Sequence, residues 1–88
     1  MSSRIDLALL DRIGRSIDHD GIVAVPAHLL TDVAHEAVRL GVQPVLAGVL
    51  SSSAHPSVAR ERAYGAVASA IASAYTVGAP ARAAGIAA

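Results

Sequence analysis

His28, Asp32, His35 and Glu36 fall within nine positions of one segment, AHLLTDVAHEAVRLG (27–41), at i, i+4, i+7 and i+8. Imidazole and carboxylate side chains are the ones that ligate zinc or move protons near neutral pH. On a helix each residue advances about 100°, so with His28 at zero Asp32 falls near 40°, His35 near 340°, Glu36 near 80° and Arg39 near 20°. Leu29, Leu40, Val33, Ala37, Leu30, Ala34 and Val38 fill the arc from about 100° to 280°. The four candidate residues thus share the side turned away from the apolar stripe, as the wet face of an amphipathic helix would. There is no H-E-x-x-H and no cysteine. A zinc ion would also need outer partners to orient its ligands. The expectation is a solvated face, with no metal, no cofactor and no catalytic residue assigned.

Ser51, Ser52, Ser53, His55 and Asp20 could be drawn as a Ser–His–Asp set, but no G-x-S-x-G elbow supports a nucleophile. Serines just before a helix more commonly cap it. Arg60, in the RER run of 60–62, shares a helical face with Tyr64, Val67, Ile71 and Tyr75. Beside that bulky stripe, Gly65, Ser69 and Ser73, and Ala66, Ala70 and Ala74, recur every four residues. Small residues at this spacing let helices approach closely. The stripe can close the chain's own core or meet a second copy. The expected interaction surface is therefore Arg60, Tyr64, Val67, Ile71 and Tyr75.

The elements that must position these residues belong to a short chain. Eighty-eight residues make one small domain. Such a chain buries only about 60% of its unfolded surface. Its apolar stock is 8 Leu, 10 Val, 6 Ile and 20 Ala, with 2 Tyr and neither Phe nor Trp. Large aromatic anchors are thus nearly absent, and burial against a partner is the expected remedy. Seven Arg balance seven acids, and there is no Lys. Neither the basic footprint of a DNA binder nor a polybasic membrane segment is present. Two stretches lack formal charge, 40–59 and 63–81. The first is interrupted by Pro and Ser and the second is mostly Ala, Ser and Gly, so neither reads as a membrane span. Asp6 and Asp11 interrupt the start where a secretory leader would be apolar, and a cytoplasmic location is expected.

Helix one is expected from Arg4 to Asp18. Ser3 and Asp6 resemble a capping box, and Ile5, Leu9, Ile13 and Ile17 form its apolar ridge. Gly21 is a stop signal. IVAV (22–25) is short and β-branched, and Pro26 starts helix two, which Gly41 ends. VQPVLAGVL (42–50) is either a short buried helix from Pro44 or a strand broken by Pro44 and Gly48. Helix three is expected from Ser57 to Val77.

The expected fold is all-α, a small three- to four-helix domain over 1–78 with a short extended connector, followed by a mobile tail over 79–88. The alternative is a small α/β arrangement with one βαβ unit completed by dimerisation. Residues 21–50 resemble in pattern the strand–helix–strand unit of a CoA- or dinucleotide-binding domain, without its G-x-G-x-x-G phosphate cradle. The Asp-Ser-Leu of an acyl carrier and the Trp of a WxG hairpin protein are both missing.

The functional expectation is a small non-catalytic helical interaction or assembly module. Its partner is itself, as a homodimer, or another protein, with no nucleic acid and no membrane. An α/β ligand-binding module for CoA or a nucleotide is one alternative, and a helical DNA-binding regulator is another.

Overall fold

The computed structural model describes the backbone of residues 5–87 and the side chains of 5–76. Four helices follow one another: α1 (Leu7–Asp20), α2 (Ala27–Leu40), α3 (Pro44–Ser51) and α4 (Ser57–Ala87). No strand occurs among the described residues. The all-α architecture stands and the βαβ alternative does not. The expected mobile tail over 79–88 lies outside the residues whose side chains are described. Among the described residues, no helix is long and apolar enough to cross a membrane.

Helix α1 starts three residues later than the expected Arg4 and ends two later than the expected Asp18. Asp6, in extended backbone, is the cap, and its Oδ1 accepts the Leu9 N–H at 2.7 Å. Asp6 therefore does the work expected of a serine; Ser3 lies outside the described residues. At the other end the Gly21 N–H donates to the Ile17 carbonyl at 2.9 Å, and Gly21 takes a φ of 88°, which favours glycine.

IVAV corrects the expectation of an extended connector. Residues Ile22–Ala24 form a single 3-10 turn, closed by Ala24 N–H to Gly21 O at 3.1 Å and Val25 N–H to Ile22 O at 3.0 Å. At three residues per turn, side chains three apart eclipse. Ile22 and Val25 accordingly point into the core together, while Val23 is left 78% exposed. With no neighbouring strand to pair with, a coil that satisfies its own backbone is the cheaper use of a β-branched run. The Ile22 N–H is taken by Glu61 Oε2 of α4 at 3.0 Å, which pins the turn.

Helix α2 ends in a complete Schellman motif. Gly41 has φ 73°, its N–H donates to Val38 O at 3.0 Å, and the Val42 N–H donates to Ala37 O at 2.9 Å. Pro44 then opens α3, as one of the two sequence readings has it. Gln43 before it carries a positive φ of 46°, uncommon for a residue with a side chain.

Helix α4 is the spine. It packs against α1, the 3-10 turn, α2 and α3, and α3 sits across both α2 and α4. The core joins Leu10 and Ile13 of α1, Ile22 of the 3-10 turn, Leu30 and Val33 of α2, Leu50 of α3, and Tyr64, Val67 and Ile71 of α4. Helix α1 rests on α4 and on the turn, and among the described residues its backbone does not come up against α2.

Candidate functional site

The α2 face that drew attention in the sequence is split by the fold. His28 and His35 are exposed, and Asp32 is half-buried. No group of three His, Cys, Asp or Glu suited to a metal forms among the described residues. Glu36 departs from the expected solvated face, being only 4% exposed. The reason lies in the wheel. Glu36 sits about 20° from Leu29, at the rim of the apolar arc, and the arc that α3 and α4 cover runs from about 80° to 240°. Val38, at the other rim, is left exposed in its place.

Burying a carboxylate is costly unless charge and hydrogen bonds compensate it. Arg39, one turn on, supplies both. Its Nε donates to Glu36 Oε1 at 2.8 Å and its Nη2 to Oε2 at 2.6 Å, a two-pronged pair. The hydrogen bond to Glu36, then its charge, holds the Arg39 guanidinium above its already high ordinary pKa. Tyr75 of α4 donates its hydroxyl to Glu36 Oε2, and the carbonyl of Ile5 lies 3.2 Å from the same phenol oxygen. The cluster joins α2, α4 and the residue preceding the α1 cap. The carboxylate thereby ties the three segments together. Its burial has a local signal, the position at the rim of the arc. Its pairing with Tyr75, 39 residues away, has none.

Of the two roles open to the α4 stripe, closing the chain's own core is the one its burial serves. Tyr64, Val67 and Ile71 are buried. The Tyr64 hydroxyl donates to Leu10 O at 2.6 Å. Burial, with the Asp11 carboxylate adding to it, pushes the phenol well above its ordinary pKa and keeps it a donor. Arg60 donates from Nε and Nη2 to the Leu50 carbonyl at 3.2 and 3.1 Å, securing the end of α3. Tyr75 is half-buried. The drawn Ser–His–Asp set does not assemble: Ser51 Oγ donates to Gly48 O, Ser52 Oγ accepts from Ala54 N–H, and Asp20 pairs with its neighbour His19.

Two features of the exterior escape the sequence reading. The first is α3. Its eight residues are apolar save the last, yet only Ala47 and Leu50 are buried. Val45 is 79% exposed, Gly48 is open, and Leu46 and Val49 are half-covered. The second is a pair of grooves flanking the 3-10 turn. One, of about 340 Å³, runs between α1 and the start of α2, walled by Leu9, Ile13, Val25 and Leu29 with Arg12 and Ser16 beside them. The other, of about 440 Å³, lies between the turn, Leu30 and Arg60. No protein-family model, curated protein or solved structure matches the chain.

Proposed function

We propose that this chain is a small non-catalytic helical interaction and assembly module, acting as a homodimer through the outer face of α3. The exposed apolar face of α3 carries the reading. An eight-residue helix that buries two side chains leaves Val45, Leu46 and Val49 with apolar area still in contact with water. Covering such area gains roughly 25 cal/mol per Å². The surrounding stretch, 40–59, has no Asp, Glu, Lys or Arg. A twofold interface sets the same patch against itself, so an uncharged patch meets no like-charge repulsion there. Gly48, where an added Cβ would touch nothing within 4 Å, leaves room for a partner's side chain.

The stripe expected to mark the interface supports this face from beneath. Arg60 holds the Leu50 carbonyl, and Tyr64, Val67 and Ile71 pack in the same core as Leu50. Tyr75 braces α2, from which α3 departs.

Light scattering coupled to size exclusion tests the proposal. The chain is expected to elute with the mass of two copies and to dissociate on dilution. Val45→Asp, at a position open to solvent, is expected to give a single copy with an unchanged far-UV circular dichroism spectrum. A chain of monomer mass at every concentration, or a Val45→Asp dimer as tight as the original, rejects it.

A further inference from the structure

The groove between α1 and α2 is separate from α3 and has a different chemistry. Leu9, Arg12, Ile13 and Ser16 stand at i, i+3, i+4 and i+7 and so present one face of α1 to it. Val25 and Leu29 form the facing wall. The gap is open because α1 is carried by α4 and the turn rather than by α2. Its volume of about 340 Å³ falls at the small end of ligand cavities.

The one charged residue in its lining is Arg12. Neighbouring Asp11 is engaged by Arg15 at 3.0 Å, and Glu36 by Arg39. Arg12 thus stands beside an apolar trough with no carboxylate partner among the described residues. A guanidinium presents a planar fork of donors that fits a carboxylate with two parallel hydrogen bonds. The Ser16 hydroxyl, one turn further along the same face, is a second donor for the same group.

We propose that this groove binds a small amphipathic carboxylate, its aliphatic tail against Leu9, Ile13, Val25 and Leu29 and its carboxylate on Arg12. Charge complementarity selects the anion over an amphipathic cation of the same length. The apolar walls select it over a bare anion such as acetate.

Decanoate is the probe, added to the isotope-labelled full chain below its micelle concentration and followed by amide NMR. Saturable shifts are expected, confined to residues 9–16 and 24–29. Acetate, and decyltrimethylammonium with the same tail and opposite charge, are expected to move none of them. Arg12→Ala should weaken decanoate binding roughly tenfold, the loss of one charge-assisted pair. Ser16→Trp, which fills the trough from an exposed position, should abolish it. The same results are expected in the Val45→Asp background, which separates this site from the α3 dimer. Equal binding of the cation, unchanged affinity in Arg12→Ala, or shifts spread over the surface would overturn the proposal. So would shifts of these amides on protein dilution alone, which would assign the groove to a second copy.

Discussion

The hydroxyl of Tyr64 donates to the carbonyl of Leu10 at 2.6 Å, tying α4 to α1 across 54 residues of chain. Leu10 is already part of the α1 helix, so its carbonyl accepts a second donor from the core side. With no close backbone approach of α1 to α2, this bond joins the Leu10 and Ile13 side chains and the packing on the 3-10 turn in seating the helix.

Replacing Tyr64 with Phe keeps the ring and deletes the bond. A loss of about 1–2 kcal/mol in urea unfolding is expected. The loss should appear without a change in helix content.

The same phenol predicts an alkaline limit. Its pKa is raised on folding, by burial first, above the ordinary 10.0. Below that ordinary value it is protonated in both states, and its contribution to stability is complete. As pH rises past 10.0 only the unfolded chain ionises, so stability falls, until the folded value is passed. Urea midpoints measured across this range should drop with pH, and drop less steeply in Tyr64→Phe.

Neighbouring positions of α2 should behave oppositely. His28→Ala and His35→Ala, both exposed, are expected to alter stability by no more than about 0.5 kcal/mol. Glu36→Ala strips the hydrogen-bond acceptor from Tyr75 and Arg39 and leaves a hole where a buried side chain stood. It is expected to cost more than about 2 kcal/mol. A Glu36→Ala chain as stable as the two histidine variants would mean that the carboxylate faces water after all.

The 3-10 turn gives a sharper contrast, between adjacent residues. Ile22 is 1% exposed and Val23 78%. Ile22→Ala should cost about 2–4 kcal/mol, and Val23→Ala next to nothing. An extended strand would alternate its faces as well, but would put Ile22 and Val25 on opposite sides. Val25→Ala costing well over Val23→Ala, which a strand would put on the same side, therefore distinguishes the turn from a strand.

Glycines divide by backbone. Gly65, mid-helix with nothing within 4 Å of an added Cβ, should yield a chain stabilised by up to about 1 kcal/mol on change to Ala. Gly21 and Gly41, with φ of 88° and 73°, should lose about 1 kcal/mol or more on the same change. Gly48→Ala combines two effects: a more stable helix α3 and, with a methyl placed in the proposed interface, a weaker dimer. Thermal melts at low and high protein concentration resolve the two.

The sequence by itself determined where α1 stops, at Gly21, and where α2 starts and stops, while the start of α1 and the end of α4 differ from its pattern. Gly21, Gly41 and Pro44 act through their own φ preferences, and Asp6 caps through a bond three residues long. The i, i+3, i+4 spacing in 27–40 and 60–75 likewise reveals apolar faces within a few turns of chain. Tertiary structure alone decided which edge of each face is covered. Glu36 lies at the rim of its arc, and only the placement of α4 with Tyr75 turns that rim inward and leaves Val38 outside. It also decided that Ile22–Ala24 coils, because a β-branched run extends only where another strand offers partners. The groove between α1 and α2 belongs to the same class. It exists because α4 holds two helices at a distance, and spacing between elements is set by packing over tens of residues, beyond the reach of any local pattern.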